Sequence, residues 1–330
     1  MKNKGNKFAW IAWLVVLAVL IVLPFTDIPM YYIHLISLSL IWVVMTQGLN
    51  IIQGLTGYVS IGQASFFGIG AYTSALLSIN FGMNFWLAAL IGVLASVVAG
   101  VVIGYPSLRT KGHYFSIITL AFCFVIFSLM GTLKDLTGGT SGLPNIPQPE
   151  FFAFLGLSKR HGYYLFVLIF AVLATLFAYK LKNSKYGRAF LIIRENEELA
   201  QAVGISLVKY KLLSFVISAT MGGIAGVLYA HFAQFINPTS FSTDYSMNAI
   251  LAIIMGGSGT IVGPVVGAFL LQFLPELLRM ADAFRNIIYA ILLIIITIFM
   301  PKGITYAIKR LFEIIVGAVK KNKGSEKGSK

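Results

Sequence analysis

The chain has 330 residues, of which 58% are hydrophobic and only 11% are charged, and its net charge is +14. A soluble domain carries about 25% charged residues, so this composition excludes an ordinary soluble globular protein. Between the charged clusters lie apolar runs of about 20 residues, the length that crosses a hydrocarbon core. Runs such as NIIYAILLIIITIFM do not alternate as β-barrel strands do. We therefore predict an all-α, polytopic helical membrane protein.

About ten transmembrane helices are predicted, interrupted by Gly-rich breaks. The spans are residues 9–25, 31–53, 57–79, 85–105, 113–133, 162–180, 211–235, 245–257, 260–278 and 286–300. No small-residue cleavage site follows the first span, so we expect it to be retained rather than removed as a signal peptide. Most Lys and Arg residues fall on the side that holds the N-terminus, and the positive-inside rule places both termini in the cytoplasm.

One transmembrane domain is predicted over residues 1–301. It includes an extracytoplasmic segment at 134–161 and a cytoplasmic segment at 181–210. Residues 302–330 are predicted as a basic cytoplasmic C-terminal helix and tail, since an amphipathic stretch there is followed by KKNKGSEKGSK. The positive charge of this face suits anionic lipid, and nothing in the sequence indicates a nucleic-acid partner. Cys123 is the one cysteine, which leaves neither a disulfide nor a Cys-rich metal site.

The first Gly-rich break lies in QGLNIIQGLTGYVSIGQASFFGIGAYTSALL, residues 47–77. Amides and irregular backbone at membrane depth are tolerated only inside protein or beside water. One interpretation is a helix break that lines a translocation path for a polar solute, formed by Asn50, Gln53, Gly57, Gln63 and Ser65. The alternative is interhelical amide bonding around a glycine-rich turn, with no solute nearby. A second break, MGGSGTIVGPVVG at 255–267, favours helices that are interrupted in two places.

Small residues recur every four positions in two places, which is typical of helices that approach closely in lipid. The first predicted packing stripe consists of Ser218, Gly222, Gly226 and Ala230. The second consists of Gly259, Gly263 and Gly267.

Several function classes are disfavoured by what the spans lack. The middle of each span has no Asp, Glu, Lys or Arg, whereas ion-coupled carriers keep such groups at depth. The phosphate-binding motif G-x-x-x-x-G-K-[ST] and the motifs H-E-x-x-H and G-x-S-x-G are also absent. We expect neither an enzyme nor a nucleotide cofactor in this chain. The GGTSG at 138–142 lacks the phosphate-loop lysine and is interpreted as a glycine-rich turn.

A short capped helix is predicted within the cytoplasmic segment. Asn196 can cap its N-terminus, Glu197 and Glu198 suit the helix dipole in the first turn, and Gly204 stands where a left-handed C-cap is expected. Its apolar residues Leu199, Ala202 and Val203 share one side. Such a helix suits docking into a groove of another protein, and an ordinary surface-loop helix is the alternative.

The sequence EELAQAVGI resembles the coupling loop of ABC importer permeases, in which an acidic residue and alanines precede a glycine. Five blocks in order, at 48–72, 108–122, 137–146, 184–230 and 254–279, resemble the LivM-type permease of branched-chain amino acid ABC transporters. They include GLNIIQGLTGYVSIGQASFFGIGAY, LRTKGHYFSIITLAF and TGGTSGLPNI. The resemblance runs from about residue 40 to 300.

This resemblance implies a multi-pass subunit of the bacterial plasma membrane. Its partners would be a LivH-like second permease, two ATPases of the LivG and LivF kind that bind the ATP, and an extracytoplasmic substrate-binding protein. The ATPase contact would include Arg194, Glu195, Glu198, Ala200 and Gly204. The binding protein would dock at Gly138, Gly139, Thr140, Ser141 and Gly142. A urea or short-amide importer permease of the same family is the near alternative, although those relatives tend to be longer, and a stand-alone secondary transporter is the distant one.

Overall fold

The computed structural model describes residues 15–26, 28–110, 112–152, 156, 158–278, 288, 291, 294, 295, 298, 300 and 303–306. Within these residues the chain is helical and has no β-strand, apart from an isolated antiparallel bridge between Leu143 and Ile236. The all-α prediction is therefore confirmed. Residues 9–14, much of the predicted last span at 286–300 and nearly all of the predicted C-terminal helix and tail lie outside the described residues.

The helices follow the apolar runs of the sequence. In chain order they are α1 (Val15–Phe25), α2 (Met30–Asn50), α3 (Gln63–Asn80), α4 (Phe85–Ser107), α5 (His113–Thr132), α6 (Lys134–Thr137), α7 (Lys159–Asn183), α8 (Lys185–Glu195), α9 (Glu197–Ala202), α10 (Leu207–Ala233), α11 (Thr243–Gly256) and α12 (Val262–Leu277).

Five helices among the described residues are long and apolar enough to cross a membrane. They are Met30–Leu55, which is α2 with its C-terminal extension, and α4, α5, α7 and α10. By the same measure α1 and α12 are apolar but shorter. A helical chain with several membrane spans thus agrees with the prediction, whereas the number of ten crossings and the orientation of the termini stay predictions.

The predicted third span begins too early. Residues 57–79 were expected to be one helix, but α3 begins only at Gln63. The end of α2 widens into a π-helical turn over Ile51–Leu55, and Gly57 then adopts a φ of +85°. A left-handed residue of this kind cannot continue a right-handed helix. Residues 56–62 therefore form an irregular connection between α2 and α3, within the segment where the sequence indicated a break.

The α2 helix lies at the centre of the bundle. Of its most apolar 18-residue window 83% is buried, compared with 28% for α4 and 22% for α5. It packs against α7, α10 and α12, while α3, α4 and α10 all pack against one another. The outward faces of α4 and α5 carry large apolar side chains, among them Leu94, Val98, Phe124 and Val125, as expected for helices that face lipid.

The first small-residue stripe lies at the contact between α10 and α3. Its four residues are buried, and a Cβ added at Gly226 would stand 1.8 Å from the Phe67 carbonyl oxygen. On the opposite side of this contact, a Cβ at Gly70 would stand 2.4 Å from the Gly223 oxygen. The two backbones touch, so only glycine fits at these positions.

The prediction of the second stripe is wrong at Gly259. Gly263 and Gly267 lie on α12, and a Cβ at Gly267 would stand 1.8 Å from the Ala252 oxygen of α11. Gly259 lies instead in the turn before α12, with a φ of +74°. The fourfold spacing does not apply there because the backbone is not yet helical, and Gly259 contacts other parts of the bundle.

We expect Gly226→Ala to destabilise the bundle by about 1–3 kcal/mol, the usual cost of forcing extra volume into a packed core. Gly131→Ala is the matched control, because Gly131 also lies in a helix but has nothing within 4 Å of its added Cβ. Thermal unfolding of both variants in detergent measures the difference. Equal midpoints for the two variants would contradict the close backbone contact of α3 and α10.

Candidate functional site: the two helix breaks and the capped helix

The two Gly-rich breaks are joined by side-chain amides. Asn50 at the end of α2 accepts a hydrogen bond from the Gly259 N–H at 2.8 Å and donates one to the Thr260 carbonyl at 2.8 Å. One turn earlier, the Gln47 amide donates to the Ile261 carbonyl at 2.8 Å. Both side chains are buried. The backbone groups left without helical partners between α11 and α12 thus find partners on α2.

Two basic side chains fasten the same region to α7 and α8. Arg194 donates through Nη1 to the Gly54 carbonyl, and Lys182 donates through Nζ to the Gly259 carbonyl at 2.6 Å. A Cβ at Gly54 would stand 2.5 Å from the Gly259 nitrogen, so the two breaks touch. Helices α2, α7 and α8 and the turn between α11 and α12 therefore meet at one place.

The predicted path residues divide into two groups. Asn50 and Gln63 are buried and bonded within the protein, since the Gln63 amide donates to the Ser218 carbonyl at 3.1 Å and accepts from the Ser218 hydroxyl at 2.9 Å. Gln53 Oε1 and Ser65 Oγ are buried without a hydrogen-bond partner, and Gly57 packs against Arg194. This arrangement shows the interhelical amide bonding, while the lining of a path stays a prediction.

The capped helix forms as the sequence indicated. The Asn196 side chain accepts the Leu199 N–H at 3.0 Å, and Glu197 and Glu198 occupy the first turn of α9. At the other end, Gly204 has a φ of +84° and the Ile205 N–H donates to the Ala200 carbonyl at 2.9 Å. This is the Schellman type of C-cap. The predictions of the N-cap and the C-cap are confirmed.

One face of α9 is open to the surroundings. Leu199 is 58% exposed and Val203 is 63% exposed, and Ala202 beside them is exposed as well. Among the predicted contact residues, Arg194, Glu195, Glu198 and Gly204 are also exposed, whereas Ala200 is buried. Ala200 therefore packs α9 onto the bundle, and the outward apolar surface consists of Leu199, Ala202 and Val203. We call these three residues the α9 face.

A polar cluster that sequence reasoning missed lies behind α9. Lys211 of α10 forms an ion pair with Glu197 at 2.7 Å and donates to the Tyr58 hydroxyl, which in turn donates to Glu197. Lys211 is only 3% exposed. Burial, together with the hydrogen bond and the charge of Glu197, raises the pKa of Tyr58 above its ordinary value, so this hydroxyl stays protonated. The three residues close a ring of contacts between α9, α10 and the α2–α3 connection.

The glycine-rich turn at 138–142 lies at the opposite end of α10 from α9. Gly138, Gly139 and Gly142 all have positive φ, which explains why glycine is used three times. The turn is held by the bridge in which the Leu143 N–H donates to the Ile236 carbonyl at 2.8 Å. Thr140 and Ser141 are exposed. A docking role for this turn stays a prediction.

A family model described as "Branched-chain amino acid transport system / permease component" matches residues 31–300. The chain belongs to this permease family. The LivM permease proteins of the high-affinity branched-chain amino acid transport systems are relatives, and that of Escherichia coli is 30% identical over 87% of this chain and 73% of its own length. That of Salmonella typhimurium is 30% identical over 82% of this chain and 69% of its own length. The LivH permease protein of Escherichia coli is 24% identical over 82% of this chain and 92% of its own length. No solved structure matches the chain.

The family settles the class of the protein. The LivM-type resemblance of the five sequence blocks is confirmed, and the chain is a transport subunit rather than an enzyme. The region matched includes both helix breaks, α8 and α9. These elements therefore lie within the part of the chain that the family model matches.

We expect Asn50→Leu to lower the thermal stability of the purified chain even without substrate or partners. The change keeps the side-chain size but removes the side-chain partner of the part-buried Gly259 N–H and Thr260 carbonyl, at up to about 1–3 kcal/mol for each. Gln53→Leu is the matched control, because the buried Oε1 that it removes has no hydrogen-bond partner. If Asn50→Leu unfolds at the same temperature as Gln53→Leu, the amide does not hold the two breaks together.

Proposed function

We propose that this chain is the membrane-spanning permease subunit of an ATP-driven importer of branched-chain amino acids. In this proposal it lies in the bacterial plasma membrane as a multi-pass protein. Two cytoplasmic ATPases, a LivH-like second permease and an extracytoplasmic binding protein complete the transporter. The family match over residues 31–300 supports the permease role, and the names of its LivM and LivH relatives support the substrate class.

The observation that carries the coupling to ATPases is the exposed α9 face on a capped helix. A two-turn helix with both caps formed keeps its shape under load, since few of its terminal peptide groups lack partners. Its outward apolar side chains, Leu199 and Val203, suit burial in a groove of a partner. The exposed charges of Arg194, Glu195 and Glu198 around them would form a polar rim.

The proposed mechanism follows from the way α9 is attached. Binding of ATP in the partner ATPases would bring them together and move the docked α9. Because α8 and α9 are fastened to α2 and α10, this movement would reach the helices that hold the two breaks. The path for the zwitterion would then open alternately to the two sides. The turn that contains Thr140 and Ser141, at the opposite end of α10, would receive the binding protein.

The composition of the purified transporter tests this proposal. The chain is extracted gently from its own host, and the proteins that co-purify are identified. We expect two ATPases and a second permease, and ATP-dependent uptake of leucine, isoleucine or valine by proteoliposomes supplied with the binding protein. Uptake of urea or acetamide instead would show that the substrate is a short amide and not a branched-chain amino acid. Uptake by the chain alone, without ATPases, would overturn the proposal.

Leu199→Asp with Val203→Asp is expected to reduce co-purification of the ATPases at least about tenfold, because docking would then bury two carboxylates without partners in the apolar contact. The control is Leu136→Asp, since Leu136 is 57% exposed on α6, which precedes the turn at the far end of α10. Quantitative mass spectrometry of the purified complexes measures the ratio of ATPase to permease. Undiminished ATPase in the double variant would show that α9 is not the docking element.

A further inference from the structure

We propose that Glu197, Lys211 and Tyr58 act together as a tether that makes α9, α10 and the α2–α3 connection move as one unit during transport. This inference rests on the proposed function, because the movement it transmits is that of α9 under the ATPases. It assigns a positioning role to three residues, two of them outside α9, and none of them belongs to the predicted contact surface.

The tether is a closed ring of three contacts. Glu197 Oε2 accepts from Lys211 Nζ at 2.7 Å, Glu197 Oε1 accepts from the Tyr58 hydroxyl, and that hydroxyl accepts from Lys211. The ammonium also lies 4.5 Å from the centre of the Tyr58 ring, in the range of a cation–π contact. Each member thus bonds both of the others. Displacing any one of the three elements strains two contacts at once.

Burial makes this ring resist separation. Lys211 is almost fully buried, and the Glu197 side chain is 28% exposed. Attraction between charges is stronger where water is excluded. Pulling Glu197 away would leave a buried ammonium without its counter-ion, which is a costly state. The ring therefore opens less readily than an exposed ion pair. A movement of α9 then also moves α10 and the α2–α3 connection.

Aromatic contacts continue from the tether into the bundle. The Tyr58 ring packs edge-on against Phe115 of α5 at 5.2 Å between centroids, and Phe115 packs against Phe215 of α10 at 5.6 Å. Phe215 in turn contacts Phe66 of α3 at 5.4 Å. The three phenylalanines are fully buried, and close-packed interiors transmit displacement.

This aromatic chain ends beside the residues of the predicted path. Phe66 lies on α3 between Gln63 and Ser65 on one side of the sequence and Gly68 on the other. A displacement that enters at Glu197 thus reaches the first turn of α3 through side chains in direct contact. Helix α10 contributes to this route twice, through Lys211 and through Phe215.

The test is the amount of amino acid taken up per ATP hydrolysed by the complete transporter in proteoliposomes. Lys211→Met, Glu197→Gln and Tyr58→Phe should each keep the co-purifying ATPases. We expect them to lower the uptake-to-hydrolysis ratio at least about tenfold, the scale of coupling between directly interacting residues. Lys209→Met is the matched control, because Lys209 lies on the same turn of α10 but is exposed, and its ratio should equal that of the wild type.

The charge-swapped variant Glu197→Lys with Lys211→Glu separates the tether from a merely structural role. It restores an ion pair between α9 and α10, so we expect a ratio well above those of the single charge variants. Thermal unfolding of each complex shows whether it is folded. If a charge variant does not fold, the uptake-to-hydrolysis ratio of Tyr58→Phe decides whether the tether transmits movement, because this variant removes only one hydroxyl.

Two failures are distinguishable. A wild-type chain that carries no ATPase overturns the proposed function and the tether with it. A wild-type transporter that works, together with unchanged ratios in Lys211→Met and Tyr58→Phe, overturns the tether alone. A swap variant no better than its single variants would likewise show that the ion pair transmits nothing.

Discussion

In a hydrocarbon solvent, a peptide group that leaves a helix must find a partner within the protein, and this constraint organises the centre of the molecule. The turn between α11 and α12 leaves its backbone without helical partners near Gly259. Side-chain amides of Asn50 and Gln47 on α2 meet the Gly259 N–H and the Thr260 and Ile261 carbonyls. Among the five long spans that the structure describes, α2 is the most buried, as suits a helix that supplies such partners.

Stiffness at the α8–α9 end follows from a second set of contacts. Arg194 and Lys182 bond carbonyls of the two breaks, while Glu197 bonds Lys211 and Tyr58. Each side chain reaches from one element to the backbone or side chain of another, so relative movement of the two elements that it joins breaks a polar contact. The exposed α9 face lies on the outside of this assembly, where we propose that the ATPase docks.

Sequence reasoning succeeded where the signal is local. Length and apolarity predict the long helices, side-chain chemistry predicts the caps of α9 at Asn196 and Gly204, and fourfold spacing predicts the small-residue packing face of α10. Sequence reasoning failed where two contacting residues are far apart in the chain. Tyr58 and Glu197 are 139 positions apart, and Asn50 and Gly259 are 209 apart. Lys211 is the first residue of the predicted span 211–235, and nothing beside it in the sequence indicates its burial.

The sequence left two interpretations of the first break open, the lining of a translocation path and amide bonding between helices. The contacts of its amides are compatible with both. Asn50 and Gln63 bond backbone groups of neighbouring elements, so in this conformation their hydrogen-bonding groups are satisfied within the protein. A zwitterion carries both hydrogen-bond donors and acceptors, as the peptide groups do. Exchange of one set of partners for the other costs less than exposing either to lipid. Under the mechanism we propose, the amides that close the breaks would line the path when α2 and the α11–α12 turn separate.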